Sequence, residues 1–215
     1  MRLVYVKVRR KCMNDKFFDL KKEKQDRIIN AALKLFALHG YKRASTDDIV
    51  AEAKISKGLL FHYFGSKLKL YAFIYEYSAR YMSMEYERSV GLMEDDFFEL
   101  QKQLECAKCQ VMKNYPYMLF FLNNAFLEED EEAIAEVSND MDMISETLQK
   151  IYKRANLERF KEGVDPSKVL KSILFTMDGL LKEQISFQKF DAKKLYDESV
   201  EYLDLFKRCY YNEKQ

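Results

Sequence analysis

Apolar residues return every three or four positions along most of the chain, and this spacing predicts an all-helical fold. The pattern is first regular after Lys22 and continues almost to the end of the sequence. Two short apolar segments near residue 50 and residue 60 interrupt the longer helices on either side. We predict helices over about 22–40, 46–53, 57–64, 67 to the late 80s, 95–114, 116–127, 130–156, 166–188 and 192–211.

Residues that favour helix ends lie at the predicted boundaries. Gly40 follows the first helix, where a left-handed residue commonly ends a helix. Ser45 precedes the second helix with Asp48 three residues on, a spacing typical of a capping box. Ser56 and Ser66 stand in the same way before the third and fourth helices. These boundaries give two short helices joined by a brief turn.

This arrangement of two short helices is typical of a helix-turn-helix. In that motif the second helix enters the DNA major groove with its N-terminal residues at the base edges. Here that helix opens with Ser56, Lys57 and Gly58, so backbone N–H groups and a lysine would face a phosphate. Ordinary helical bundles also contain short capped helices, so the pattern alone leaves both interpretations open.

The composition agrees with a globular, helical chain. Hydrophobic residues make up 48% and charged residues 33%, and only 2 prolines and 6 glycines are present to interrupt helices. No stretch of 18 or more apolar residues is present, and no secretory signal is apparent, so we expect a cytoplasmic protein without a membrane partner.

The charge is strongly asymmetric although the whole chain carries only +1. Residues 1–70 hold 17 Lys/Arg and 7 Asp/Glu, whereas residues 71–215 hold 19 and 28. A basic end on an acidic body is consistent with binding to a polyanion. Residues 1–21 are themselves basic, and two interpretations remain: an arm that contacts DNA or an extension without a role.

The segment STDDIVAEAKISKGLLFHYFGSK, Ser45 to Lys67, resembles the DNA-binding domain of the tetracycline-repressor (TetR) family. The resemblance rests on Gly40-Tyr41, Asp48-Ile49, Ser56-Lys57-Gly58, the aromatic run after it and Ser66-Lys67. It implies an extension at 1–21, a three-helix helix-turn-helix domain at 22–68, and a C-terminal helical domain for ligand binding and dimerisation at 69–215.

The resemblance also implies roles for single residues in DNA binding. Phosphate contacts are expected near the start of the second and third helices, and base contacts on the third helix. Further contacts to the DNA backbone are expected near the end of the third helix and the start of the fourth. The residues concerned are Thr46, Ser56, Lys57, Gly58, Leu59, His62, Tyr63 and Lys67. Three departures from the family pattern are Lys54 in the turn, Leu59 on the recognition helix and Leu68 at the start of the fourth helix.

The last two predicted helices carry broad apolar stripes. In the family such helices pair with their copies in a four-helix interface, which implies a homodimer and a palindromic DNA operator. The alternative is that the stripes face the chain's own core. The predicted interface residues are Ile173, Met177, Leu180, Leu181, Leu203 and Phe206.

Large aromatic and methionine side chains are frequent in the middle helices. As a group they suit a mainly apolar small-molecule effector, although core packing explains any one of them as well. The predicted effector residues are Phe73, Tyr77, Tyr81, Phe97, Met112, Tyr117, Phe120 and Phe121.

No motif for catalysis, for a cofactor or for a metal is present. Cys106 and Cys109 are three residues apart, but both histidines lie in the DNA-binding half, so two thiols do not complete a zinc site. We therefore predict a dimeric DNA-binding regulator that a small molecule releases from DNA. The competing hypothesis is a helical adaptor whose basic end binds a protein.

Overall fold

The computed structural model describes residues 15–186 and 191–212, and ten α-helices account for most of them. The only β-type pairing within these ranges is one antiparallel bridge between Phe160 and Tyr211. Short 3-10 turns lie at Asp15–Phe17, Ser138–Asp140 and Leu157–Arg159. The helices are α1 Lys22–Arg43, α2 Thr46–Ala53, α3 Lys57–Phe64, α4 Lys67–Ser89, α5 Phe97–Asn114, α6 Met118–Ala125, α7 Glu131–Val137, α8 Met143–Tyr152, α9 Pro166–Ser186 and α10 Ala192–Tyr210. The prediction of an all-α fold is confirmed.

The chain forms two compact units. The N-terminal unit comprises the described residues up to Ser83 together with Tyr115–Ser145, and in it α1 packs on α2 and α6. The C-terminal unit comprises Met84–Asn114 and the described residues from Glu146 onward, and in it α10 packs on α5 and α9.

Serine side chains cap the helices where the sequence places them. The Ser45 hydroxyl accepts the N–H of Asp47 at 3.1 Å, and the Ser56 hydroxyl accepts the N–H of Leu59 at 3.2 Å. The Ser66 hydroxyl does the same for Lys69 at 3.1 Å. Each cap satisfies an N–H that has no partner inside its helix, so the starts of α2, α3 and α4 are fixed locally.

Gly40 interrupts α1 without ending it. Its φ of 69° is the positive value expected of glycine at this point, and the chain then makes one more turn to Arg43. The extra turn carries Tyr41 and places its backbone groups at the surface of the N-terminal unit, where they acquire partners described below.

The prediction of one helix over 130–156 is wrong. The chain forms α7, then a 3-10 turn at Ser138–Asp140, and then α8. Ser138, Asn139 and Asp140 have short polar side chains that compete for backbone hydrogen bonds, and the Ser138 hydroxyl donates to the Ala135 carbonyl at 2.9 Å. The remaining predicted helices after residue 90 form within about two residues of their expected limits, except that the end predicted at residue 188 lies outside the described residues.

Candidate DNA interface

Helices α2 and α3 meet at a turn that requires a left-handed residue. Lys54 takes this conformation, with φ 54° and ψ 50°, and it is the only non-glycine residue with positive φ in the part of the chain that the structure describes. For a residue with a Cβ this costs about 1–2 kcal/mol. Its N–H donates to the Ala51 carbonyl at 3.2 Å, so the helix-turn-helix turn forms although glycine is missing.

The N-terminal tip of α3 is exposed to solvent. Ser56, Lys57 and Gly58 are all exposed, and a Cβ built on Gly58 would meet no atom within 4 Å. Glycine inside a helix costs about 0.5–1 kcal/mol relative to alanine. Since packing does not require this glycine, its small size leaves room for a molecule that approaches the tip from outside.

The Lys57 ammonium lies at the edge of this tip and pairs with the Asp47 carboxylate at 2.9 Å. Both side chains are at least half exposed, and such surface pairs contribute little stability. The pair therefore keeps a cation beside the helix N-terminus, and a phosphate can replace the carboxylate at small free-energy cost.

The other predicted DNA-binding residues differ in exposure. His62 is exposed, whereas Thr46 and Leu59 are half-buried. Tyr63 is only 7% exposed, because its ring packs edge-on against Phe17 with 5.7 Å between the ring centroids. The surface that α3 offers thus comes mainly from its first residues and from His62.

Lys67, which was predicted to contact the DNA backbone, binds the C-terminal turn of α1 in the structure. Its ammonium donates to the carbonyls of Tyr41 at 2.9 Å and of Lys42 and Ala44 at 3.3 Å. It also lies 4.4 Å from the centre of the Tyr41 ring. An ammonium at carbonyls without helical partners is electrostatically favourable, so Lys67 joins the start of α4 to the end of α1.

Phe17 is a core residue that the sequence pattern does not indicate. Its ring is fully buried among Tyr63 and Phe64 of α3 and Phe73 of α4, with centroid distances of 5.2–5.7 Å. The Gln25 amide donates to the carbonyls of residues 18 and 20 and fixes the same segment to α1. The predicted extension at 1–21 therefore includes residues that belong to the helix-turn-helix core.

Glu128, also missed, connects the loop after α6 to α1. One oxygen of its carboxylate accepts the Tyr41 N–H at 2.7 Å, and the other accepts the N–H groups of Glu129 and Asp130 at 3.1 and 3.2 Å. The contact spans 87 residues of sequence, and no local pattern indicates it. Only the five consecutive acidic residues at 128–132 distinguish this loop in the sequence.

The predicted effector residues do not form one group. Phe73, Tyr77, Tyr81, Tyr117, Phe120 and Phe121 belong to the N-terminal unit, and Phe97 and Met112 belong to the C-terminal unit. Phe73 and Phe121 are buried among other aromatic rings. Phe73 packs on Phe17 and Phe64, and Phe121 packs on Phe36 and Tyr71 at centroid distances of 6.3 and 5.5 Å.

The Tyr77 hydroxyl is already engaged in a buried hydrogen-bond chain. It lies 2.7 Å from the Tyr115 hydroxyl, which donates to the Asp26 carboxylate at 2.7 Å and accepts from the Lys22 ammonium at 3.0 Å. Burial raises the pKa of both Tyr77 and Tyr115, so both phenols stay neutral. The half-buried ring of Tyr81 packs against the rings of Tyr77 and Tyr115.

The C-terminal unit contains a buried polar group that sequence reasoning did not select. The Gln101 amide donates to the Tyr152 hydroxyl, and the Lys108 ammonium pairs with the buried Glu105 carboxylate at 2.6 Å. Burial raises the pKa of Tyr86 nearby to about 12. These groups lie on the same helix as Met112, which is fully buried.

Most predicted interface residues are buried within the single chain. Ile173, Met177, Leu180, Leu181 and Leu203 are buried, and Phe206 is half-buried. Among the described residues of the same two helices, the large apolar side chains that remain exposed are Leu174, Phe175, Tyr202 and Leu205. These four side chains are the large apolar groups that α9 and α10 present at the surface of the single chain.

Burial makes one of the two free cysteines of α5 unreactive. Cys109 is buried, and desolvation raises the pKa of its thiol to about 12, far from the low values of redox-active thiols. Among the described residues no three His, Cys, Asp or Glu side chains lie close enough to hold a metal ion. No described helix is both long and apolar enough to cross a bilayer.

Comparison with known proteins agrees with the helix-turn-helix geometry. Residues 28–73 match the model of the family described as bacterial regulatory proteins, tetR family. The chain is 25% identical over 148 residues to the uncharacterized HTH-type transcriptional regulator YerO of Bacillus subtilis (strain 168), which covers 66% of this chain and 49% of that protein. It is 54% identical over 46 residues to the uncharacterized HTH-type transcriptional regulator YuxN of the same strain, over 21% and 16% of the two proteins. The chain thus spans half or less of the length of these relatives.

Solved structures extend the likeness to both units. The ketosteroid transcriptional regulator KstR2 of Mycobacterium tuberculosis aligns over 90% of this chain and 97% of its own, with a TM-score of 0.66 and 16% identity. At that identity the likeness concerns the fold alone. Together, the comparisons show that residues 28–73 match the model of the tetR family and that the overall fold is similar to that of KstR2.

Proposed function

We propose that this chain is a dimeric transcriptional regulator, a repressor that a small, mainly apolar effector releases from a palindromic DNA operator. The observation that carries the proposal is the capped, exposed tip of α3, where open space surrounds Gly58 and the Lys57 ammonium lies alongside. A helix N-terminus with free N–H groups and a cation suits a phosphate, and its small residue permits close approach to the groove.

Dimerisation is supported by the exposed apolar side chains of α9 and α10. Phe175 is 67% exposed, and Gly179 lies one turn further along the same face with no atom within 4 Å of its Cβ position. A large apolar side chain beside an open glycine suits a helix from a second copy that packs closely on this face. We propose Leu174, Phe175, Tyr202 and Leu205 as the interface in place of the buried stripe.

The effector is proposed to be mainly apolar, because aromatic rings dominate the middle helices. Tyr81, Tyr117 and Phe120 are the predicted effector residues of the N-terminal unit that remain partly exposed. In the C-terminal unit, the neutral phenols of Tyr86 and Tyr152 and the amide of Gln101 would suit an effector that also carries one polar group.

The DNA-binding proposal is tested by removing one lysine at a time. Lys57→Ala should weaken binding to a mixed-sequence duplex of about 30 base pairs roughly 5- to 10-fold and lower the salt slope by about one. Lys168→Ala removes an equally exposed lysine at the start of α9 and should change neither quantity. Equal effects of the two substitutions, or no salt-dependent DNA binding by the unaltered protein, would support the adaptor hypothesis instead.

A further inference from the structure

Both backbone groups of Tyr41 are held by opposite charges. Its N–H donates to the Glu128 carboxylate at 2.7 Å, and its carbonyl accepts from the Lys67 ammonium at 2.9 Å. Charged partners make these hydrogen bonds stronger than ordinary backbone bonds. One peptide on the last turn of α1 therefore joins a carboxylate from the loop after α6 to a lysine at the start of α4.

The glycine before Tyr41 permits this contact. Gly40 has φ 69°, and a Cβ built there would lie 3.4 Å from the Glu128 carboxylate. Any other residue at this position would be strained in its backbone, because its φ is positive. A second bond holds the same two elements together, since the Asn124 amide donates to the Ala37 carbonyl at 2.8 Å.

The last turn of α1, which these contacts fix, is followed directly in the chain by residues predicted to contact DNA. Lys67 also donates to the Ala44 carbonyl, and Ala44 precedes Ser45, the cap of α2. Thr46, the first residue of α2, is predicted to contact phosphate, and the Lys67 ammonium, bound to the three carbonyls of this turn, places a positive charge beside it. Movement of the Tyr41 peptide would therefore displace a predicted phosphate contact and a positive charge at once.

We propose that Glu128 is a positioning residue for DNA binding, which acts by fixing the Tyr41 peptide and thereby Lys67 and the start of α2. This inference rests on the proposed DNA-binding function. The direction of the change in DNA affinity distinguishes this role from a simple charge effect. A carboxylate near a DNA-binding surface repels phosphate, so the loss of its charge alone should raise the affinity for DNA. Positioning through Tyr41 predicts the opposite result, a loss of affinity.

The experiment measures affinity and salt slope on a mixed-sequence duplex of about 30 base pairs for two matched glutamate substitutions. Glu128→Ala should weaken binding about 5- to 10-fold and lower the salt slope by about one, as Lys67→Met should. Glu129→Ala removes the same charge one residue away on an exposed side chain and should leave binding unchanged or slightly tighter.

A double substitution tests the route through Lys67. If Glu128 acts by placing that ammonium, Glu128→Ala combined with Lys67→Met should bind within about twofold of Lys67→Met alone. Should Glu128→Ala fail to fold, judged by thermal unfolding, Glu128→Gln against Glu129→Gln gives the same comparison. The glutamine amide still accepts the Tyr41 N–H, so a loss of about two- to threefold is expected.

Three results would overturn the inference. Glu128 variants that bind as tightly as their Glu129 counterparts would show that positioning is absent. Additive losses in the double variant would show that Glu128 does not act through Lys67. Absence of DNA binding by the unaltered protein would remove the proposed function together with this inference, whereas the first two results leave that function intact.

Discussion

The tip of α3 and the outer face of α9 and α10 expose opposite kinds of side chain. At the tip, serine, lysine and glycine are exposed while every large apolar residue of α3 except Leu59 and Phe61 is buried. On α9 and α10, Phe175 is exposed to 67% and Leu205 to 45%, although both helices also bury apolar residues in the chain's own core. The first surface suits a hydrated polyanion, and the second suits another apolar surface.

The two regions leave different residues exposed beside their buried apolar face. On α3 the exposed residues at the tip are polar, and Leu59 and Phe61 are half-buried, so this surface favours a polar partner. On α9 large apolar residues remain exposed beyond the buried ones, so this surface favours an apolar partner. Substitutions in one region should therefore change DNA binding or self-association separately, and equal responses of the two regions would contradict this distinction.

The largest effect is expected from Phe17→Ala, which should destabilise the N-terminal unit by about 3–5 kcal/mol. The ring is fully buried between α3 and α4, so its removal leaves a cavity beneath the recognition helix. Thermal or denaturant unfolding measures the loss. The matched control is Phe126→Ala, whose ring is 58% exposed and should matter little. Similar stability of the two variants would contradict the placement of Phe17.

Phe175→Glu should break the second region without disturbing the first. A carboxylate at this position would be buried without a partner in each half of a two-fold interface, so the dimer should weaken at least about 100-fold. Sedimentation at micromolar concentration reports the change. Lys168→Glu on the same helix should leave the association state unchanged. A stable dimer of the Phe175→Glu variant would show that the interface lies elsewhere.

The smallest and most specific effect is expected from Gly58→Ala. Since the Cβ has open space, the substitution should stabilise α3 by up to about 0.5–1 kcal/mol. The added methyl group lies where DNA should approach, so affinity for DNA should fall while thermal stability rises. A rise in stability with unchanged DNA affinity would remove Gly58 from the interface.

Local sequence features predicted the helix-turn-helix in detail. Ser45, Ser56 and Ser66 cap the helices they were expected to cap, because a cap depends on two or three neighbouring residues. Lys54 shows the limit of such reasoning. Its left-handed conformation is imposed by how α2 and α3 pack, and its residue type does not reveal it.

Contacts between distant segments were not predictable in this way. Helical spacing identifies which side of α9 is apolar but not whether that side meets its own chain or a copy. Ile173 and Met177, which were predicted at an interface, are buried within the single chain. Phe17 stands in a short turn with no periodic pattern. The partner of Glu128 lies 87 residues away, and the acidic run around it resembles an ordinary solvated loop.

We expect the α3 tips of a dimer to read two DNA half-sites. Selection of random duplex DNA on the purified protein, read by sequencing, tests this expectation. It should yield a palindrome whose half-sites lie about 10–10.5 base pairs apart, matching the spacing of about 34–36 Å between successive major grooves, and the palindrome should be lost in the Lys57→Ala variant. No enriched motif, together with binding that does not change with salt, would show that the α3 tips do not read DNA.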